Sequence, residues 1–398
     1  MKLAVAGCIG FGFAAIPLYP ALIFLASVAP PGVSLVAPQI ALAVLIVTLG
    51  GAAFLVWTML RADEMHCELA KPIVVYLAGW TLATLAGLDP VTGALFIAAG
   101  LLSFVLHLAV ARYYGEPPVA TVLYAAFLSS ALAVTLLGIG LLAAGHDTML
   151  YRAVNGRAVA TFIVPGEFAG YLCIVVPLGA GIALAARRGW LRGLGAAVAL
   201  SGCIALWLTY SRAGIYGLSV GAAFFLYAQR RRWWVGLALL AALALEARWL
   251  LGFNDHHNPG EEFVRLPIWE TALRVAELFP LTGTGPGAFR HVFGAVGPAG
   301  GLTSAFHAHS YPLTALAETG LVGVLTALGL WWAFGRRLRM AIAGAEPRAR
   351  RLALALAAAF VATLVQSAID FVQIVILACW LPCMALALAA ARRGAADA

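Results

Sequence analysis

Two histidines open the segment FHAHSYPLTALAETGLVG at residues 306–323, and one glutamate, Glu318, interrupts the apolar run that follows. Pro312 suits the first turn of a helix, which puts His309 at the N-terminal mouth of that helix. A neutral imidazole in such a place can take a proton from a hydroxyl as a general base. His307, two residues earlier, is a support or surface residue, or takes the base role itself. Together with His256 and His257 the pair could also suggest a metal site. A His-x-His with no cysteine and no definite third ligand does not specify one, so no metal or other cofactor is assigned.

Other polar groups stand out against the apolar background: Arg152, Arg157 and Glu167; Ser211 with Arg212; Arg265; and Asp370. Arginine keeps its charge in any environment and grips phosphate through a planar fork. For a single arginine, contact with lipid headgroups or a local ion pair is the favoured account of its position; several converging are a different matter. Glu318, inside an apolar stretch, has two readings: a functional carboxylate or a structural ion pair, and both set something cationic against it.

The elements that carry these residues follow from composition. Hydrophobic residues make up 63% of the 398 and charged residues 11%, with a mean hydropathy of +0.96. A soluble domain is about half apolar, so this chain is an integral membrane protein. Apolar runs of about 17 to 25 residues specify helices rather than barrel strands. The prediction is an all-α, polytopic transmembrane bundle that forms one membrane domain over 1–398. It has about twelve spans at 3–28, 33–60, 72–88, 91–110, 119–144, 161–186, 193–210, 213–229, 233–252, 311–335, 352–369 and 372–391. The first run is too long for a signal peptide and is kept as a span. Six cysteines show no metal-ligand spacing and read as small apolar residues.

Eighteen of the 25 basic residues fall on the face shared with both termini, which the positive-inside rule makes cytoplasmic. The other seven, Arg152, Arg157, Arg212, Arg248, Arg265, Arg274 and Arg290, come out on the opposite, periplasmic face. The one large connection there is 253–310. Within it Leu266, Trp269, Leu273 and Ala276 share a helical stripe, and Glu270 and Arg274 are spaced i,i+4, as in an amphipathic helix lying at the membrane interface. TGTGPGAF at 282–289 lacks the Lys-Ser/Thr of a nucleotide loop and follows no strand; it reads as a glycine-rich turn beside the site. Outward arginines with one base and no metal suit a lipid-linked pyrophosphate donor, whose leaving group needs its charge stabilised. The chemistry expected is glycosyl transfer to a hydroxyl.

In this order, PGEFAGYL (165–172), SRAG (211–214), Arg265 with Trp269, FPLTGTGPGAF (279–289), AHSYPLTALAETGLVG (308–323) and SAIDF (367–371) resemble the bacterial O-antigen ligases and the polymerases related to them. The resemblance runs from Arg157 to the end of the last span. It implies a glycan donor on undecaprenyl pyrophosphate, a bacterial inner-membrane location, a periplasmic active site and no metal. By position, His309 is the base and Arg212 and Arg265 are the pyrophosphate binders. Glu318 and Asp370 match the family's acidic positions, and Arg157 matches more loosely. Arg152, Ser211, Glu167 and His307 join them as candidate substrate-binding residues. Ser310 stands where the family often has Asn, and Glu167 where Pro-Asn is frequent; a carboxylate there repels the donor unless it pairs with Arg157 or Arg152 or orients the acceptor.

The leading expectation is an O-antigen ligase that transfers the glycan to a lipid A-core hydroxyl. Within the family the alternative is a polymerase using the same donor; the modest length and single large outer loop favour the ligase. From another class, a transporter or flippase for an anionic lipid would need charges near the midplane and symmetric broken helices, and no repeat is evident. Nothing in the sequence calls for a nucleic-acid partner.

Overall fold

The computed structural model describes residues 1–18, 38–61, 67–145, 156–162, 164–229, 234–235, 261–297, 305, 307–370 and 379–393. Every regular element among these residues is helical. In chain order they are α1 (Lys2–Ala14), α2 (Pro38–Leu60), α3 (Ala70–Leu85), α4 (Pro90–Tyr113), α5 (Val119–Ala143), α6 (Pro165–Ala185), α7 (Gly189–Leu208), α8 (Arg212–Ala228), α9 (Glu261–Leu278), α10 (Phe289–Val296), α11 (Tyr311–Ala343), α12 (Pro347–Ile369) and α13 (Leu381–Arg393). A short 3-10 turn, Ile16–Leu18, follows α1.

Seven of these helices carry stretches long and apolar enough to cross a membrane: Ala43–Leu60, Pro90–Tyr113, Val119–Ala143, Pro165–Ala185, Gly189–Leu208, Tyr311–Ala343 and Pro347–Ile369. Shorter apolar helices cover Lys2–Leu18 and Ala70–Leu85. The chain is therefore a multi-pass membrane protein. The span expected at 233–252 falls almost wholly outside the described residues, as do Arg152, Arg248, His256 and His257.

Helices α6 and α12 are buried along most of their length and form the centre of the bundle, whereas α2 shows most of its surface. Small residues let the central helices approach closely: a Cβ on Gly217 of α8 would lie 2.4 Å from the Ala362 carbonyl oxygen of α12. Such contacts replace the hydrophobic drive that lipid cannot supply between helices.

A second, smaller core lies under α9. Ile268, Ala272 and Val275 pack with Phe289, Val292 and Phe293 of α10 and with Ala305, Ala308 and Ala317. The expected helix is present, and Arg274 pairs with Glu270 at 2.6 Å as its spacing predicts. The face that packs on protein is a different one from the Leu266–Leu273 stripe. Leu266 and Leu273 are 59% and 47% exposed. The apolar arc of α9 is wider than one contact face, and the smaller Ile268–Ala272–Val275 side fits against the Phe289–Phe293 ring pair.

The opposite ends of the bundle differ in how they hold charge. Lys2 meets Glu116 at 2.7 Å, and Arg392 and Arg337 meet Glu68 at 2.5 and 3.6 Å. The candidate residues for chemistry gather at the other end.

Candidate functional site

Helix α12 ends at Ile369, and Asp370 is its C-cap in extended conformation. The last carbonyls of a helix lack intrahelical partners. Arg265, near the start of α9, supplies one: its Nη1 donates to the Ile369 carbonyl oxygen at 3.0 Å. A cation at a helix C-terminus is also favoured by the helix dipole. The same device recurs nearby. Arg157 Nε donates to the carbonyl of Thr209, the C-cap of α7, at 2.8 Å. Two of the expected arginines are thus fixed by the ends of helices.

Asp370 lies over the start of α6, where only a glycine leaves room. A Cβ on Gly166 would fall 2.2 Å from Asp370 Oδ2. Gln366 Nε2 secures the same crossing by donating to the Gly166 carbonyl at 3.0 Å. Next to it, Glu167 is buried beneath Asp370, with Oε2 accepting no hydrogen bond among the described residues.

From the third side comes the loop before α11. His309 Nδ1 stands 3.8 Å from Asp370 Oδ1, with the His309 side chain 40% exposed. Its φ is +47°, a left-handed conformation that is costly for a residue with a Cβ, on the order of 1–3 kcal/mol. Two hydrogen bonds hold that turn. Ala308 N–H donates to Thr314 Oγ1 at 3.2 Å, and His309 N–H donates to His307 Nδ1 at 3.2 Å. Ser310 occupies the N-cap position of α11 without a side-chain capping bond, so Thr314 secures the loop instead. The two imidazole rings meet edge to face, centroids 4.4 Å apart. Because its Nδ1 accepts, His307 carries its proton on Nε2. Burial, reinforced by His309 and Arg265 and opposed by Asp370, pushes its pKa down to about 3.

On the flank, Ser211 caps α8 by accepting from Gly214 N–H at 3.2 Å and places Arg212 in the first turn. The Ser211 hydroxyl has a structural duty here. α8 runs along α12 with its N-terminus toward the Asp370 end, since Gly217 already sits against Ala362 and Gln366. Of the remaining outer arginines, Arg274 and Arg290 are local ion pairs, with Glu270 and, at 3.4 Å, with Asp89.

Glu318 belongs to a neighbouring construction. Gly320, with φ +58° and ψ −163°, interrupts α11. In an unbroken helix the N–H groups of Leu321 and Val322 would donate to Ala317 and Glu318. Here they donate to Pro280 and Leu281, while the Ala317 and Glu318 carbonyls accept from Thr284 and Gly285 instead. The glycine-rich segment 280–285 is stitched into the break, and no backbone group of the exchange is left unbonded. Positive φ at Gly283 and Gly320 and their close backbone crossings exclude a Cβ at either position. The Glu318 carboxylate accepts from Phe289 N–H at 3.3 Å, at the positive end of α10. A helix N-terminus thus faces this carboxylate.

The structure brings His307, His309, Asp370, Arg265 and Glu167 into one cluster at the end of α12. Arg212, Arg157 and Ser211 flank it; Glu318 is tied to the loop beneath; Arg152 lies outside the described residues. Among the described residues, no group of three or more His, Cys, Asp or Glu side chains is arranged to hold a metal ion. Residues that were not foreseen are Thr314, Gly166 and Gln366. The Gly before Glu167 in PGEF was the only visible signal among them.

Residues 195–328 match the family described as O-Antigen ligase. That third of the chain runs from α7 into α11 and includes SRAG, Arg265, the glycine-rich segment and the His309 motif; it bears out the resemblance carried by those motifs. No curated protein matches the chain.

Proposed function

On the premise that this membrane protein carries an O-antigen ligase domain, we propose that it is an O-antigen ligase acting at the periplasmic face of the bacterial inner membrane. It moves a glycan from undecaprenyl pyrophosphate to a hydroxyl of lipid A-core. The observation that carries the reading is the His309–Asp370 approach of 3.8 Å, beside an arginine anchored one residue earlier on Ile369.

Asp370 faces Nδ1 of His309, which leaves Nε2 for the acceptor. The acceptor hydroxyl gives its proton to Nε2 as its oxygen bonds to the anomeric carbon of the donor glycan. The bond between that carbon and the pyrophosphate oxygen breaks, and undecaprenyl pyrophosphate leaves with the electron pair. Asp370 stabilises the imidazolium that forms, and the proton passes on to solvent. Arg265 and Arg212, with Arg157 behind them, stabilise charge on the departing pyrophosphate. Glu167, under Asp370, is suited to orient the acceptor rather than the anionic donor.

Purified protein treated with EDTA, supplied with undecaprenyl-pyrophosphate glycan and lipid A-core, tests this. Wild type forms the ligated product, and His309→Ala, Arg212→Ala and Arg265→Ala each lower the rate at least about a hundredfold. Lengthening of the donor glycan with no transfer to lipid A-core makes the protein a polymerase. Neither product from a folded sample rejects glycosyl transfer and favours transport.

A further inference from the structure

We propose that His307 is a positioning residue for His309: its Nδ1 holds the His309 backbone in the left-handed turn that sets the His309 imidazole against Asp370. The inference rests on the reading of His309 as the base. A φ of +47° at a residue bearing a Cβ persists only where neighbours over-determine it. The neighbours are specific. Ala308 is wholly buried, so its N–H needs a protein acceptor and finds Thr314 Oγ1. The next N–H, that of His309, finds His307 Nδ1. These consecutive bonds fix the peptide planes on both sides of Ala308 and hence the direction in which His309 leaves the chain.

Only a neutral ring can do this. A protonated His307 would present N–H to N–H, and the bond would become a repulsion. The surroundings keep the ring neutral: it is packed within the site, with the His309 ring at 4.4 Å and the positive Arg265 nearby. With Nδ1 spent on the His309 amide and Nε2 carrying the proton, His307 has no lone pair to serve as a base. The two histidines of the motif therefore divide the labour. His307 shapes the turn, and His309 does the proton transfer.

The geometry of the acceptor gives a discriminating experiment. Asn places its Oδ1 the same number of bonds from the backbone as Nδ1 of histidine, whereas Gln reaches one bond further. In the glycan-transfer assay, His307→Ala and His307→Gln lower kcat about ten- to a hundredfold with KM for the lipid-linked donor changed less than about twofold. His307→Asn restores the rate to within about threefold of wild type. In the double variant His307→Ala/His309→Ala the loss equals that of His309→Ala alone, because one residue acts through the other. The acid limb of the kcat/KM profile moves in His307→Ala and returns with His307→Asn. If His309→Ala keeps full activity, the base reading itself fails. If His309→Ala is inactive while His307→Ala is unimpaired, or His307→Asn is no better than His307→Gln or does not fold, the positioning role is overturned.

Discussion

The two ends of the bundle use arginine in different ways. At one end Lys2 meets Glu116 and Arg392 meets the Glu68 carboxylate, largely in the open, while Arg337 reaches both the Glu68 carboxylate, at 3.6 Å, and its backbone carbonyl, at 3.0 Å. At the other, Arg157 and Arg265 hydrogen-bond the terminal carbonyls of α7 and α12. A carboxylate neutralises the charge it binds, whereas a carbonyl fixes the guanidinium while leaving its net charge for an anion. The difference teaches that position along the chain does not separate structural arginines from candidate substrate-binding ones; a carboxylate partner marks the structural ones. Arg274 and Arg290, on the site end but paired with Glu270 and Asp89, follow the structural pattern. His291 at 3.1 Å from Asp89 completes that second pattern, and hydrogen bonds from Thr92, His291 and Arg290 hold the Asp89 carboxyl well below its usual range.

The most damaging way to break the contrast is to dismantle the scaffold of the site end alone. Gly320→Ala forces a Cβ into a left-handed position 2.4 Å from the Leu281 backbone, and a loss of about 3 kcal/mol or failure to fold is expected. Thermal unfolding and monodispersity in detergent read it out; an unchanged midpoint would mean the stitched break is not a constraint. Next, Asp370→Asn keeps the shape but removes the charge facing His309. It lowers glycan transfer about thirtyfold, within the range that proton-transfer partners contribute, and leaves donor KM nearly unchanged in steady-state kinetics.

A matched pair of conservative changes sharpens the comparison further. Arg265→Lys keeps a charge but loses the planar fork that, on the proposed function, spans the Ile369 carbonyl and a phosphate together, and transfer drops about tenfold. Arg392→Lys at the other end leaves transfer within about twofold, because an exposed pair with Glu68 contributes at most about 1 kcal/mol. Equal losses in both variants would erase the distinction. A further effect is on pH. His307 has an ordinary pKa of 6.5 and about 3 in the fold. Between those values the unfolded chain binds the extra proton, so stability rises with pH in that window and is lost as pH falls below about 6.5. Thermal midpoints measured from pH 7 down to pH 4 show this fall in wild type, and it flattens in His307→Asn.

Much of this was legible from local signals. Proline at the start of α6, α11 and α12 and the long apolar runs set those helices, because lipid requires every backbone group to bond within its own segment. The Glu270–Arg274 spacing predicted both the helix and its ion pair. The packing face of α9 was not legible: an apolar arc serves two surfaces, and which half turns inward depended on Phe289 and Phe293, remote from the arc itself. Nor was the Glu318 contact with the Phe289 amide, because a backbone donor leaves no mark in residue types.

The sequence by itself determined a helical membrane protein and the residue types that could carry an acid–base and anion-binding chemistry. Hydropathy and charge act locally and are written residue by residue. Only the tertiary structure decided that His309 stands by Asp370, that Arg265 is seated on Ile369, and that residues 280–285 complete the broken helix at Gly320. Those pairings join positions far apart in the chain. They arise where glycines allow backbones to cross and where unpaired carbonyls and amides must find partners, which is a property of the assembled bundle.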